Sequence, residues 1–553
     1  MIIDGNTLAA GTVLEADVVI VGTGPAGLTL AREFANQPIN VILLESGDFA
    51  PHRSLKKLNE GETSGDHYPN PRWGRQRQFG GAPNRWQIYI GPHLHGARYA
   101  PLDPLDFETR DYLPYSGWPI TRAELDPYYA RAQVHCGLGP YEYETPYWEK
   151  PGLGPLTFKG GRLVTNMFQF GAKDVWTKRY EDVTNARNID VVTAASVVEI
   201  ETDDGGTNAT GVRAMNYAHV AFHVRAKQII LAVGCIESSR LLLNSTAKHR
   251  DGIGNAHDVV GRYFMDHPQS YLNILTPTDR RVFDTTGLFD LRPMGGYGVM
   301  AKLTFTEETL RREELLNACF VLFPRRDHFM SEAFQSFFTM ALAVYHASRP
   351  TQIGHHIKAM AKGWRHLAQI GLWELQGKAP YPYLAHGGWA DIPNKSKLFS
   401  VFEVFSLLEQ APDPNNRITL TEHTDPNGTR KVHVHWEFTE RDRQSVARAR
   451  QVFDQEMAES GFGTTLWHPD PYTSASSVHP IGGTRMHSSP RFGVVDADCR
   501  VHGMSNLYIA GSGVFPTSGY ANPTLTVVAL SARLADCVKA RLLHVPALQT
   551  TAA

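Results

Sequence analysis

Cysteine is scarce and unpatterned in this chain. Cys136, Cys235, Cys319, Cys499 and Cys537 are odd in number, widely scattered and nowhere in Cys-x-x-Cys spacing. That speaks against a disulfide framework or a thiolate zinc site and fits free thiols in a reducing compartment. An excess of one charge is equally lacking. The 54 Lys and Arg against 56 Asp and Glu leave a net charge of −2, so nothing advertises nucleic acid or anionic lipid as a partner. No apolar run has the length of a bilayer span. Residues 334–348 come nearest, are too short, and read as a buried helix of a second domain. The opening Met1-Ile-Ile-Asp-Gly5 lacks the basic stretch of a signal peptide, so a cytoplasmic location is expected. Repeats, heptads and low-complexity tracts are missing. His355, His356 and His366 have no carboxylate or cysteine at ligand spacing, and no metal site is expected.

What is present begins with size. The chain has 553 residues, 42% hydrophobic and 20% charged, more than one core usually supports, so two interlocked domains are expected. Residues 17–45 organise the rest. Asp17-Val-Val-Ile-Val21 is a short apolar run without alternation, which reads as a buried parallel strand. Gly22-Thr23-Gly24-Pro25-Ala26-Gly27 follows at once, then an apolar-periodic helix, then a second strand, Val41-Ile-Leu-Leu-Glu45. Strand, Gly-x-Gly-x-x-Gly, helix and a strand ending in an acid is the context of a dinucleotide fingerprint. Gly22 permits the tight turn, Gly24 lets backbone amides approach a pyrophosphate at the helix N-terminus, and Gly27 seats the helix on the sheet. Glu45, 21 residues after Gly24, is placed to accept ribose hydroxyls.

Residues 46–79 are polar and rich in Pro, Gly and Arg, too long for a plain connector, and are expected to arch over something functional. They lead into Phe79-Gly80-Gly81-Ala82-Pro83-Asn84-Arg85-Trp86-Gln87, whose paired glycines allow close approach to a flat ligand. Thr121 and Glu124 form a capping box that predicts a helix through Tyr128 and Tyr129. Residues 150–190 read as irregular. Strands are predicted at 190–193, 195–200, around 211–213 and at 219–224. A further core strand, 228–233, hands over through Gly234 to a helix at 236–243, so the cofactor domain is discontinuous. Thr439 caps a predicted helix from Glu440 to about Glu459, and the last ten residues are expected to fray. Near the C-terminus, Val478-His479-Pro480-Ile481-Gly482-Gly483-Thr484 sets a histidine before a glycine turn. Residues 506–513 end a strand in a Gly-rich loop, and Tyr520-Ala-Asn522-Pro523-Thr524 opens a long helix with Pro523 in its first turn. That helix N-terminus would turn its positive end toward an electron-rich ring.

These stretches together resemble the glucose–methanol–choline (GMC) oxidoreductases. The likeness covers residues 18–45, 79–86, 228–243, the Asp266-His267-Pro268 turn region and 479–534. Pro101-Leu-Asp-Pro-Leu-Asp-Phe, Ser116-Gly-Trp-Pro-Ile, and His-Pro-Ile-Gly-Gly-Thr paired with Ala-Asn-Pro-Thr resemble the pyranose oxidase and glycoside 3-oxidase branch. The resemblance implies an α/β fold: a Rossmann-like FAD-binding domain with a mixed parallel sheet, plus an α+β substrate-binding domain with a large antiparallel sheet. The expected division gives residues 1–100, 190–270 and 480–553 to the first and 101–189 and 271–479 to the second. It implies that FAD takes hydride at N5 from a secondary ring hydroxyl, C2 or C3, of a pyranose or glycoside, yielding a ketosugar. His479 is then the base and Asn522 holds the substrate oxygen.

The implied cofactor-binding residues are Gly22, Gly24, Pro25, Ala26, Gly27, Glu45 and Ser46 from the first motif, and Gly80, Gly81, Asn84, Arg85, Trp86 and Gln87 from the second. Val198, Ala232, Gly234, Glu237, Gly511, Ser512, Asn522, Pro523 and Thr524 complete the set. Some relatives tether flavin through a histidine where this chain has Arg85, so non-covalent FAD is expected. His267 matches a structural turn of the family and is not counted as catalytic. O2 or a quinone is the expected electron acceptor, and a homo-oligomer is compatible. Other readings stay open: an aminoglycoside, sterol, choline or other alcohol as substrate, a redox-inactive flavin lyase, or a non-catalytic flavin-binding protein.

Overall fold

The computed structural model describes residues 1–86, 88–91, 94–345, 350, 352–375, 387–473 and 476–543. Its first layer is a mainly parallel sheet. Ile2–Asp4, Ile189–Thr193, Val41–Leu44, Val13–Val21 and Ala221–Leu231 run side by side. The far edge of Ala221–Leu231 is shared. Ala209–Met215 pairs antiparallel along its start and Leu507–Ile509 pairs parallel along its end. The two strands predicted at 219–224 and 228–233 are therefore one, because the chain crosses from one neighbour to the other without a break.

Register does the positioning. Val21 pairs with Leu44 and with Leu231, and Leu231 pairs with Ile509. The next residue of each strand, Gly22, Glu45, Ala232 and Ala510, therefore emerges along one rim. That rim is the carboxyl end of a parallel sheet, where α/β folds bind ligands. Val18, Val19 and Ile20 have no exposed surface, so the central strand carries apolar residues on both faces. Helix Pro25–Phe34 packs on the sheet and against Thr524–Leu543, which also lies along Arg122–Cys136. The predicted capping box starts the latter: the Glu124 N–H donates to Thr121 Oγ1 at 3.2 Å, and the Thr121 N–H donates to Glu124 at 2.6 Å.

The second layer is an antiparallel sheet. Its order is Gly463–Leu466, Gln269–Pro277, Val401–Leu408, Ala318–Arg325, Tyr297–Phe305, Leu163–Ala172, Leu94–Tyr99 and Ile88–Gly91. Leu163–Ala172 lies in the stretch read from sequence as irregular. Leu163 and Met167 on one face and Phe168 on the other are buried, and the strand's longest pairing is with Tyr297–Phe305, more than a hundred residues away, a contact that leaves no local signature. Helix Glu440–Glu459 covers one face, burying Val446, Ala449, Val452, Phe453 and Met457. Its Thr439 cap accepts the Asp442 N–H at 3.1 Å. Gly61–Gly65 pairs parallel with Arg430–Trp436, which anchors the 46–79 arch.

The helix expected to be buried at 334–348 is Glu332–Tyr345. It is a surface helix, with Phe334 buried but Phe337 and Val344 exposed. Phe334 and Phe338 pack onto Leu272, Ile274 and Ile370, and helix Ile353–Lys362 lies alongside. Residues 346–348, Gln87 and the last ten residues lie outside the described ones. Among the described residues no helix is long and apolar enough to cross a membrane, and no group of His, Cys, Asp or Glu could hold a metal ion.

Candidate active site

The rim carries a cavity of about 270 Å³ assembled from four strand ends, the arch around residues 59–86, residues 478–480 and the start of the last helix. Gly22 makes the first turn at φ +102°, with the Ala232 carbonyl so close that a Cβ would lie 2.6 Å from it. Helix Pro25–Phe34 then opens with Gly24 at its N-cap and no side chain capping it, so its first-turn amides keep their donors for a ligand. At Gly24 a Cβ would meet nothing within 4 Å, whereas at Gly27 it would meet the Gly22 carbonyl at 1.8 Å. One glycine keeps space open above the turn, and the other closes the packing below it.

Glu45 is buried to 4% exposure at the cavity wall. Its carboxylate accepts the Thr23 N–H at 3.2 Å, the Thr23 hydroxyl, and the Gly47 N–H at 2.8 Å. The Gly80 N–H donates to Thr23 Oγ1 at 3.2 Å. A Cβ on Gly81 would approach Gly24 Cα to 3.0 Å. The Gly80-Gly81 segment is thus docked on the first glycine loop and closes the cavity from the side.

The remaining expected cofactor residues divide in two. Pro25, Ala26, Ser46, Trp86, Ala232 and Gly234 line the cavity with the glycine loop, as do Gly511, Ser512, Pro523 and Thr524. Pro523 stands just ahead of helix Thr524–Leu543 rather than in its first turn, and its carbonyl accepts the Val527 N–H at 2.9 Å. Glu237 also lines the cavity, but it is committed to arginines: Arg75 at 2.8 Å, Arg77 at 2.9 Å and Arg240 at 3.3 Å. Burial alone would raise its pKa; the charges of Arg77, Arg240 and Arg75 overcome that and hold it down to about 2. Gly27 and Gly80 are packing positions. Asn84 turns its amide onto the Phe79 and Gly81 carbonyls, Val198 is a core residue of Ser196–Thr202, and Arg85 is exposed. None of these five is on the cavity wall, and neither is Asn522. Gln87 lies outside the described residues.

At one end of the cavity stands His479. Asn522 Nδ2 lies 3.0 Å from its Nε2, and Arg98 Nε–H donates to Asn522 Oδ1 at 2.7 Å. On the other edge of the ring, His479 Nδ1 is 3.1 Å from Nδ1 of His267, whose Nε2 is 3.2 Å from the Ser518 carbonyl. Asp266 holds both histidines by their backbones, accepting the N–H groups of His267 at 2.7 Å and His479 at 3.1 Å. Ser476 and Tyr68 donate their hydroxyls to its other oxygen at 2.7 and 3.0 Å. Burial pushes the Asp266 carboxyl up to about 6.

Burial drives His267 down to about 4. It also takes His479 well below the usual imidazole range, helped by His267 and by the Arg98 charge. Both rings are therefore neutral near pH 7, and a neutral imidazole can accept a proton. Sequence reasoning missed Arg98, Arg75 and Arg77. The Arg-rich arch hinted at the last two, while nothing local marks Arg98 on strand Leu94–Tyr99.

Residues 17–338 match the model of the FAD dependent oxidoreductases, and residues 412–531 match the GMC oxidoreductase model. The fructose dehydrogenase large subunit of Gluconobacter japonicus is 26% identical, over 95% of this chain and 98% of that one. Paromamine 6′-oxidase of Streptomyces fradiae is 22% identical, over 94% and 91%. Among solved structures, formate oxidase superposes with a TM-score of 0.50 and 17% identity, covering 97% of this chain and all of that one. At that identity the likeness is one of fold.

Proposed function

The chain belongs to the FAD-dependent oxidoreductases of the GMC type, and from that premise we propose that it oxidises a secondary ring hydroxyl, at C2 or C3, of a pyranose or glycoside to a ketosugar. The observation that carries the reading is the pair of His479 Nε2 and Asn522 Nδ2, 3.0 Å apart, with His479 on the cavity wall and Asn522 directly behind it. A hydroxyl oxygen meeting both would give its proton to His479 and receive a hydrogen bond from Asn522 as negative charge develops on it. Arg98, donating to the Asn522 carbonyl, polarises the amide and strengthens its N–H as a donor.

The open first-turn amides of Pro25–Phe34 and the Glu45 carboxylate suit the pyrophosphate and ribose of FAD, with Arg75 and Arg77 adding positive charge nearby. Gly81, Trp86, Gly511, Ser512 and Thr524 would border its ring. When bound, FAD supplies the two-electron acceptor for the carbon-bound hydrogen, and O2 or a quinone takes the electrons onward. Arg85 cannot tether flavin and is off the cavity wall, which supports non-covalent binding.

A second reading, an aminoglycoside alcohol, draws on the relative acting on paromamine. The Arg98 charge behind Asn522 weighs against a polycation there. Anaerobic visible spectra of the holoprotein with glucose, an aryl glycoside and paromamine separate these readings. Bleaching of the flavin band by glucose or the glycoside is expected. Bleaching by paromamine alone favours the second reading, and no bleaching by any of the three leaves a redox-inactive lyase as the better account.

A further inference from the structure

His267 belongs to a turn in the sequence, yet its ring ends a chain of hydrogen bonds whose direction is fixed at both ends. At one end Arg98 can only donate, so Asn522 Oδ1 is the acceptor and its Nδ2 must face His479 as a donor. His479 Nε2 is then the acceptor. At the other end the Ser518 carbonyl can only accept, so His267 carries its proton on Nε2 and leaves Nδ1 bare. The bond between the two Nδ1 atoms, 3.1 Å long, then needs its hydrogen from His479. Both ends demand the same arrangement: His479 protonated on Nδ1, unprotonated on Nε2. A conflict would have appeared had either terminal group been of the opposite kind, and none does.

We infer that His267 is a positioning residue that fixes the tautomer of His479, keeping Nε2 free toward Asn522. This rests on the reading of His479 as the base, but the tautomer belongs to the resting protein and is measurable without turnover. In the opposite tautomer, Nε2–H would oppose the Asn522 amide donor across 3.0 Å, and no lone pair would face a substrate hydroxyl. The logic is that of a base oriented by a third group, with a buried neutral imidazole in place of a carboxylate. His267 is suited to it: its side chain has no exposed surface, and its backbone is held by Asp266. When His479 Nε2 takes the substrate proton, the imidazolium already has its Nδ1–H bonded to His267, so its charge is spread along that bond.

The test labels histidine with 15N in the holoprotein and assigns His479 by difference from His479→Ala. Wild type near pH 7.5 (about one unit above an ordinary imidazole pKa) is expected to show Nδ1 protonated and Nε2 bare. The reverse pattern in wild type overturns the proposal, whatever any variant does. His267→Leu removes the acceptor and is expected to shift the His479 signals toward the other tautomer. The same change should lower kcat about 10- to 100-fold with KM little altered. His267→Asn sets Oδ1 where Nδ1 was and is expected to restore both the spectrum and most of kcat. A His267→Leu protein with unchanged His479 signals and unchanged kcat also overturns it. If His479→Ala leaves turnover intact while wild type shows the expected tautomer, the proposed function fails and the tautomer assignment stands.

Discussion

The two ends of the cavity are built from different materials. The proposed cofactor cradle is backbone: four strand ends brought level by sheet register, glycines where side chains would collide, and helix amides left uncapped. The end proposed to be catalytic is side chains: Arg98, His267, His479 and Asn522, from four distant stretches, joined ring to amide to guanidinium. A cradle made largely of backbone tolerates little change in shape. The catalytic end keeps its shape under substitution but depends on which atom carries each proton. Changes at the first end should remove fold or cofactor, and changes at the second should remove rate and leave both.

The largest effect tests the first half of that contrast. Gly27→Ala would drive a Cβ to 1.8 Å from the Gly22 carbonyl, so loss of folded protein is expected, by more than about 4 kcal/mol. Gly24→Ala has open space for its methyl and an ordinary φ of −67°. It should unfold like wild type while losing FAD on gel filtration, because its methyl fills the space above the turn. If both variants behave alike, the two glycines do not have the separate roles assigned to them.

Asn522→Ala comes next, with flavin still bound and its anaerobic reduction slowed about 10²- to 10³-fold, the usual cost of one donor to a developing oxyanion. A variant that instead loses flavin would move Asn522 to the cradle side of the comparison. The smallest effect concerns acid. His267 has a folded pKa near 4 against about 6.5 unfolded, so between these values the unfolded chain holds a proton that the folded chain does not. Its contribution to stability is complete above pH 6.5 and is lost as pH falls through that window. Asp266, raised to about 6, works the other way and gains as pH falls from 7 toward 4. Comparing wild type with His267→Asn isolates the histidine: between pH 7 and pH 5 the variant should lose about 2 kcal/mol less. Denaturation midpoints at the two pH values check this, and equal losses would mean that His267 is not held neutral by its burial.

The same contrast explains what could be read from sequence. The cradle is written locally: Gly22 to Gly27, Glu45 at the end of the next strand, and Ala232 to Gly234 at a second strand end all announce themselves within a few residues. His479 and Asn522 were visible as motifs of residue types. Their partners were not. Arg98 meets Asn522 from 424 positions away, on a strand whose pattern says only that it is half buried. His267 sat in a recognisable turn, but which ring it would face depends on how two loops dock. The strand Leu163–Ala172 was lost for a related reason, since its neighbours come from residues 88–99 and 297–305 rather than from a hairpin. The helix Glu332–Tyr345 shows the converse: its composition suggested full burial, and Phe337 and Val344 are exposed.

The measurement that bears most directly on the whole account is anaerobic flavin reduction in wild type and His479→Ala side by side, with the sugar that bleaches wild type best. The account expects both proteins to be equally yellow and wild type to bleach. The variant should keep its flavin band with a rate lower by about 10²- to 10⁴-fold. A His479→Ala protein that bleaches as fast as wild type would contradict the assignment of His479 as base, and with it the role given to the chain from Arg98 to Ser518.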